Sequence, residues 1–207
     1  MNECSFTLEK KWDGPVCGLD EAGRGPLAGP VVAACVYVPE GVRRKKFWAH
    51  VDDSKKLSAI QREGLYSAII ENCPFGIAQA SVAEIDTINI LHASMLAMRR
   101  AMAVMVADHG VRPQMALVDG NFAPKLPLCQ IQTVIGGDAA SRSIAAASIL
   151  AKVTRDRMMQ ALCAQYPHYG WSSNAGYGTP QHKAALALHG PTPHHRSSFA
   201  PIKALVG

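Results

Sequence analysis

The stretch Val16-Cys17-Gly18-Leu19-Asp20 is a short apolar run that ends in a carboxylate. Two later stretches, Met115–Asp119 and Thr133–Asp138, have the same form. Short apolar runs bounded by turn residues are typical of buried strands in a parallel or mixed sheet. Neighbouring strands lie about 4.8 Å apart. If the first two of these strands are neighbours, the side chains of Asp20 and Asp119 meet at one point.

Carboxylates at the ends of buried strands are energetically unfavourable unless something binds them. Desolvation penalises their charge, and clustered carboxylates repel one another and tend to take up protons. A pair of hard divalent cations with oxygen ligands relieves both penalties. We therefore expect Asp20, Asp119 and Asp138 to share a metal site. The structural alternative is that Asp119 begins a turn and Asp138 caps a helix.

Glu21 follows Asp20 directly, and two consecutive residues of a strand point to opposite faces. If the strand ends at Asp20 and the chain turns through Gly23, Glu21 swings back toward the same pocket. Four such acids suit two-metal phosphodiester cleavage, in which one ion activates a water and the other, about 3.5–4 Å away, stabilises the leaving oxygen. Asp156 is a rival fourth acid. It lies 156 − 138 = 18 residues beyond Asp138, which is about 27 Å if the segment is helical, so we expect Asp138 to be the ligand.

Length and charge favour a single domain that binds a polyanion. The 207 residues and 22.1 kDa suffice for one full core. We expect one catalytic domain over residues 1–207, with a core over about 16–165 and a C-terminal appendage over about 166–207. The formal charge of +5 and the pI near 8.9 mildly favour a nucleic-acid partner, although many proteins are equally basic.

Cysteine usage and hydropathy predict the compartment. The six cysteines are scattered and form no C-x-x-C pair, which favours a reducing cytosol over a disulfide framework or a zinc knuckle. The first residues lack the apolar segment that is typical of a signal peptide. The longest apolar runs are shorter than a membrane span. We therefore expect a cytoplasmic, monomeric protein with no membrane partner.

Hydrophobic periodicity and turn residues predict the order of the secondary-structure elements. Apart from a helix over 58–72 capped by Ser58, the order is three strands in succession, then helices alternating with two further strands, with a helix allowed between the fourth and fifth strands. This order favours an α/β fold in which a mixed five-stranded sheet is flanked by helices. A right-handed crossover then places the fourth strand beside the first. The predicted strands are Val16–Asp20, Val31–Val38, Phe75–Val82, Met115–Asp119 and Ile131–Ile135, and the other helices are Ile88–Val106 and Ser141–Gln165.

The segment from Gly18 to Val31, GLDEAGRGPLAGPV, resembles the opening signature of ribonuclease HII. The similarity extends over nearly the whole chain, to about Pro201. It implies an RNase H-like fold with a small helical C-terminal appendage, dependence on Mg²⁺ or Mn²⁺, and endonucleolytic cleavage of the RNA strand of RNA–DNA hybrids. The further matching blocks are Asp53–Ser58, Val118–Asn121, Ala146–Asp156, Gly176–Thr179 and His195–Phe199.

The resemblance also implies a finer activity. This activity is incision on the 5′ side of a single ribonucleotide embedded in duplex DNA, leaving a 3′-hydroxyl and a 5′-phosphate, as ribonucleotide excision repair requires. Metal-binding and catalytic roles fall to Asp20, Glu21, Asp119 and Asp138. Two alternatives stay open: a non-catalytic nucleic-acid-binding module, and an RNase H-fold nuclease that acts on other DNA structures.

Recognition of the ribonucleotide is expected at Gly23-Arg24-Gly25, the start of a loop over residues 23–30 that we call the glycine loop. A protein distinguishes RNA from DNA at one position through the 2′-hydroxyl, and glycines let backbone groups approach a sugar closely. The residues alone fit a plain turn at least as well, and the resemblance reverses that preference. It also assigns Tyr177 to stack on the deoxyribose 3′ of the ribonucleotide, while Lys55 suits a phosphate contact. The expected substrate-binding residues are Gly23, Arg24, Gly25, Ser54, Lys55 and Tyr177.

The chain departs from the family pattern in two places. The family commonly has a lysine two residues before the acid at Asp138, where this chain has Gly136, so that contact is missing or supplied elsewhere. The block His195–Pro201 lacks the second arginine and the glycine often found in relatives, which leaves substrate binding by that segment in question. Zinc ligation is not expected in the Pro-rich tail, and surface or nucleic-acid-facing positions are expected for His189, His194 and His195.

Overall fold

A mixed five-stranded sheet forms the centre of the computed structural model, which describes residues 4–127 and 129–206. Its strands are β1 Val16–Ala22, β2 Val31–Tyr37, β3 Phe75–Ala80, β4 Met115–Asp119 and β5 Gln130–Val134. They lie side by side in the order β3-β2-β1-β4-β5. β2 is antiparallel to β1 and β3, whereas β4 is parallel to β1 and β5. The predicted sheet is therefore confirmed.

β4 lies beside β1, as predicted, and the register of this pair decides where the acids meet. Leu19 pairs with Val118, so Asp20 and Asp119 are the next residues along the two strands. Because the strands run in the same direction, both acids lie at the same edge of the sheet.

Helices cover both faces of the sheet. They are α1 Ala59–Asn72, α2 Val82–His109, α3 Arg142–Gln165, α4 Trp171–Asn174, α5 Pro180–His189 and α6 Ala200–Val206. Successive residues of β2 point to opposite faces of the sheet, so the strand contributes to two core layers. Ala33 and Cys35 belong to the layer under α2, and Ala34 and Val36 belong to the layer under α1 and α3.

α3 lies directly on β1 because the contacting residues are small. Ala145–Ala147 are fully buried in its first half. A Cβ added to Gly18 would lie 2.1 Å from the carbonyl carbon of Ser143, so only glycine permits this approach. This close contact therefore holds α3 against the strand that carries Asp20.

α2 begins earlier than predicted. The side chain of Ser81 accepts a hydrogen bond from the N–H of Glu84, and the Glu84 carboxylate accepts one from the N–H of Ser81. This capping box starts the helix at Val82 rather than Ile88, and it shortens the third strand. Asn89, with φ 63° and ψ 166°, interrupts the helix, so the predicted segment corresponds to its longer second part.

α2 is also long and apolar enough to cross a membrane by length and composition alone. The expectation that every apolar stretch is shorter than a span is therefore wrong for this helix. Its apolar stripe is instead packed on β2 and β3, where Ala97, Met98, Ala101 and Met105 are fully buried. Packing identifies α2 as a core helix of the sheet.

Other predicted boundaries are partly right. α1 is capped by Ser58, as predicted, in a capping box with Gln61. No helix forms in residues 120–127 or at 129, the described part of the connection between β4 and β5, so the optional helix there is wrong. β1 does not end at Asp20, because Glu21 and Ala22 continue to pair with β2.

The helical C-terminal segment, residues 166–206, packs against the glycine loop. Leu27 and Ala28 of the loop share an apolar cluster with Trp171, Leu186 and Ile202. The C-terminal segment therefore packs against one side of the loop, and the other side of the loop faces the end of the sheet.

Candidate active site

Three carboxylates converge at the edge of the sheet. Asp20 lies on β1, Asp119 is the last residue of β4, and Asp138 lies in a 3₁₀ turn, Gly137–Ala139, that follows β5. One carboxylate oxygen from each lies within 4.8 Å of the others. A hydrogen bond fixes the turn next to Asp119: the backbone N–H of Gly137 donates to Oδ1 of Asp119 at 2.7 Å. We call these three residues the acid cluster.

The surroundings of the acid cluster disfavour negative charge. Burial, followed by the charges of Glu21 and Asp119, raises the pKa of Asp20 well above its ordinary value. Burial and the charge of Asp119 also raise the pKa of Asp138, while Lys55 opposes the rise. A bound cation would offset both the burial and the repulsion.

Glu21 is not among the three converging acids. The prediction that β1 ends at Asp20 is wrong, so Glu21 remains in the strand and alternates with its neighbour. Its Oε1 accepts a hydrogen bond from Nη1 of Arg24 at 3.3 Å. Burial raises the pKa of Glu21, with Arg24 opposing and Asp119 adding to the rise. Glu21 lies at the same cavity as the cluster, and its role as a metal ligand stays a prediction.

Asp20 and Asp119 of the acid cluster, together with Glu21, line a cavity of about 470 Å³. Two of its polar side chains are already engaged within the protein. The buried hydroxyl of Ser54 lies 2.9 Å from that of Ser148, and Nζ of Lys55 lies 3.4 Å from Oδ2 of Asp138. Lys55 thus places a cation beside Asp138, where Gly136 has no side chain to do so. The cavity is lined by Asp20, Glu21, Gly23, Arg24, Gly25, Ser54, Lys55, Asp119 and Tyr177, with five further residues.

Gly23 and Gly25 are constrained by different neighbours. Gly23 has φ +100°, and a Cβ there would lie 2.0 Å from Nε of Arg155. Packing behind the loop therefore requires this glycine, whereas the sequence suggested the approach of a sugar. A Cβ on Gly25 would lie 3.3 Å from Cε1 of Tyr177, so this glycine faces the cavity. Tyr177 is 50% exposed, which leaves its ring accessible from the cavity.

A family model described as ribonuclease HII matches residues 17–202. The chain belongs to the ribonuclease HII family. A ribonuclease HII of Granulibacter bethesdensis is 52% identical over 201 residues, which cover 96% of this chain and 90% of the relative. The resemblance drawn from the sequence motifs is confirmed.

Solved ribonuclease H structures share the fold. The crystal structure of ribonuclease H2 from Pyrococcus horikoshii has 27% identity and a TM-score of 0.73, over 92% of this chain and 96% of that one. Bst-RNase HIII in complex with Mn²⁺ has 19% identity and a TM-score of 0.74, over 93% of this chain and 69% of that one. The predicted RNase H-like fold is therefore confirmed.

Membership in the ribonuclease HII family establishes the general activity. The chain is a ribonuclease H, an endonuclease that acts on RNA–DNA hybrids and depends on divalent metal. The acid cluster has the donor chemistry for such an ion, because hard cations prefer carboxylate oxygens.

Asp156, the rival fourth acid, lies outside the cluster. Its Oδ1 accepts a hydrogen bond from Nζ of Lys152 one turn away on α3, at 2.7 Å. Its charge is therefore balanced within α3.

Sequence analysis missed two buried arginines behind the glycine loop. Arg155 and Arg196 are 1% and 0% exposed. Both lie in blocks that carry the family resemblance, yet no spacing signal marks them as buried, and arginine is almost never fully buried unless it is paired.

The expected surface position is wrong for His195. Its ring is buried, and its Nε2 lies 3.0 Å from Nε2 of His182. Nδ1 of His182 lies 2.9 Å from the carbonyl oxygen of Tyr177, so the pair supports the backbone of the tyrosine. Burial, with the charge of His182, lowers the pKa of His195 to about 4. Of the other two histidines, His189 is exposed and His194 is half-buried.

Proposed function

We propose that this ribonuclease H incises duplex DNA on the 5′ side of a single embedded ribonucleotide and leaves a 3′-hydroxyl and a 5′-phosphate. One observation carries the proposal: Asp20 and Asp119 of the acid cluster line the same cavity as Gly23, Arg24 and Gly25 of the glycine loop and the exposed ring of Tyr177. Cutting chemistry and ribose recognition can therefore act on one phosphodiester linkage.

The metal site would be formed by Asp20, Glu21, Asp119 and Asp138. The donor set fits Mg²⁺ or Mn²⁺, because the acid cluster offers converging carboxylate oxygens and burial raises the pKa values of Asp20, Glu21 and Asp138. Two bound ions would supply an activated water and a positive charge at the leaving oxygen. Mn²⁺ is the ion in the Bst-RNase HIII structure of similar fold, which supports its use here.

The substrate contacts would come from the glycine loop, Ser54, Lys55 and Tyr177. The half-exposed ring of Tyr177 can stack on the sugar that follows the ribonucleotide. The ammonium of Lys55 can bind a phosphate once a metal ion balances the charge of Asp138. Ser54, whose hydroxyl is buried, would act mainly through its backbone and its bond to Ser148.

The chain would work as one catalytic domain in which residues 166–206 support the loop. Their packing on Leu27 and Ala28 supports this arrangement. We further propose a cytoplasmic monomer with a role in removing ribonucleotides from DNA. Light scattering after gel filtration tests the monomer, and a mass of twice 22.1 kDa would contradict it.

The test uses labelled duplexes with Mn²⁺ or Mg²⁺. One duplex carries a single ribonucleotide, a second is all deoxy, and a third pairs RNA with DNA. We expect one nick 5′ of the ribonucleotide, extendable by a polymerase from its 3′-hydroxyl, and no cut in the all-deoxy duplex. Equal nicking of the deoxy duplex would indicate a nuclease for other DNA structures, and binding without any nicking would indicate a non-catalytic module.

The variant Asp119→Asn tests the metal role. It keeps the size of the side chain and removes its charge, so nicking should fall by at least about 100-fold. Nicking at the full rate would contradict the assignment of the acid cluster.

A further inference from the structure

Arg155 and Arg196 are two buried cations without an acidic partner. Neither forms an ion pair with any residue of 4–127 or 129–206. A buried charge is strongly unfavourable unless its hydrogen bonds are satisfied. Backbone carbonyls satisfy both guanidinium groups here, and most of those carbonyls belong to the glycine loop.

Arg196 holds the first turn of the loop. Its Nη2 donates to the carbonyl of Gly23 at 2.6 Å, and its Nη1 donates to the carbonyl of Arg24 at 2.9 Å. Its Nε donates to the carbonyl of Gly29 at 3.0 Å. One planar, five-donor group thus fixes both ends of the loop.

Arg155 binds the second half of the loop and the segment before Tyr177. Its Nε donates to the carbonyl of Pro30 at 2.9 Å, and its Nη2 donates to that of Ala28 at 3.0 Å. Its Nη1 donates to the carbonyl of Ala175 at 2.8 Å. It makes no hydrogen bond to the carbonyls of Gly23 or Arg24.

The bonds to Arg196 decide which way two amide groups point. In a trans peptide unit the C=O and the following N–H are coplanar and point in opposite directions. Since the carbonyls of Gly23 and Arg24 point inward to Arg196, the N–H groups of Arg24 and Gly25 point away from it. Both residues line the cavity. Neither N–H has a partner among the hydrogen bonds of the described residues.

We propose that Arg196 is a positioning residue for substrate: it orients the amides of Arg24 and Gly25 as donors to a sugar-phosphate oxygen of the bound strand. Hydrogen bonding of the carbonyls to a cation also polarises these peptide units, which makes their N–H groups better donors. The inference rests on the proposed function and adds a residue that does not itself touch substrate.

The matched control is the same change at the other arginine. Arg196→Lys and Arg155→Lys each keep a buried positive charge and lose the guanidinium fork. Only Arg196→Lys releases the carbonyls of Gly23 and Arg24. Both variants should lose thermal stability, so stability cannot explain a difference between them in substrate binding.

Steady-state nicking of the single-ribonucleotide duplex is measured for all three proteins, well below their melting temperatures. We expect Arg196→Lys to raise KM at least about tenfold with kcat within about threefold, and Arg155→Lys to raise KM by less than about threefold. Mn²⁺ affinity, titrated calorimetrically, should change less than about twofold in both. Equal KM for Arg196→Lys and the unaltered protein would overturn the proposal, as would equal rises in the two variants.

An all-deoxy duplex used as a competitive inhibitor shows which oxygen of the substrate the two amides bind. If its inhibition constant rises together with KM, the amides bind a phosphate oxygen; if only KM rises, they bind the 2′-hydroxyl. Both results support the positioning role.

If the lysine variant is poorly folded, chemical rescue of Arg196→Ala by added guanidinium tests the same proposal. Guanidinium at non-denaturing concentration should restore KM toward that of the unaltered protein, whereas ammonium should not, because only the planar fork fits the carbonyls. Restoration by both ions, or by neither, contradicts the proposal. Absence of nicking by the unaltered protein would instead refute the proposed function, so the two failures are distinguishable.

Discussion

Like charges are buried together at two places in this protein, and the protein treats them in opposite ways. The carboxylates of the acid cluster lie close together, Asp20 and Asp119 line an open cavity, and the pKa values of Asp20 and Asp138 are raised. The arginine pair, Arg155 and Arg196, is enclosed, and every guanidinium nitrogen donates to a backbone carbonyl.

The difference separates a ligand site from a structural support. Buried carboxylates whose charge the protein does not balance need a bound cation, and this is the situation of metal-binding residues. Buried charge that is fully satisfied does no chemistry itself, but it fixes the backbone that it binds. The following predictions test this contrast.

The largest effect is expected from removing the enclosed charge. Arg196→Met leaves the carbonyls of Gly23, Arg24 and Gly29 without donors, so the free energy of unfolding should fall by about 3–5 kcal/mol in urea titrations. Arg157→Met, at an exposed arginine of α3 paired with Glu63, is the control and should change it by less than about 1 kcal/mol. Similar losses at the two arginines would remove the distinction between enclosed and exposed cations.

The next effect concerns which acid completes the cluster. Asp138→Asn should lower the nicking rate by at least about 100-fold, because it removes a ligand charge. Asp156→Asn removes an acid that is paired with Lys152, and the rate should stay within about threefold. The reverse order of the two variants would assign the fourth acid to Asp156.

Tyr177→Ala should have a smaller effect, confined to discrimination. Loss of one stacking contact lowers the preference for the embedded ribonucleotide over an RNA–DNA hybrid by roughly tenfold. Because the ring is half exposed, the melting temperature should fall by no more than a few degrees. Unchanged preference, measured as the ratio of kcat/KM values, would exclude Tyr177 from junction recognition.

The smallest effect is the pH dependence of the metal-free protein. The folded-state pKa values of Asp20, Glu21 and Asp138 are raised, so their protonated forms favour folding. That stability is fully present below the ordinary carboxyl pKa near 4 and is lost as pH rises through the raised values. In EDTA the melting temperature should therefore fall by a few degrees as pH rises above the ordinary carboxyl pKa.

Metal should reverse this trend, because it binds the deprotonated carboxylates of the folded state. Stabilisation by Mn²⁺ should grow with pH, and Asp20→Asn should reduce both effects. A melting temperature that is indifferent to EDTA, Mn²⁺ and pH would show that the acids do not form a coupled site.

Local signals predicted the elements that depend on local physics. Apolar runs marked the five strands to within a few residues, and Ser58 marked the start of α1. The start of α2 was equally local, since Ser81 and Glu84 form a capping box, and sequence analysis overlooked it. The extension of β1 through Ala22 was not local, because pairing with β2 maintains it. That extension is what keeps Glu21 out of the acid cluster.

The sequence by itself determined the family, the sheet and the proximity of Asp20 to Asp119, because hydrophobic period and strand direction are written residue by residue. Only the tertiary structure decided that Lys55 lies beside Asp138, that His195 is buried, and that two arginines stand behind the glycine loop. The positions of Lys55 and of the arginines depend on hydrogen bonds to distant residues, more than 80 positions away in the chain for Lys55 and more than 120 for the bonds of the arginines to the glycine loop. No local pattern encodes such partners, since a buried cation is stable only where folding has already gathered the carbonyls that bind it.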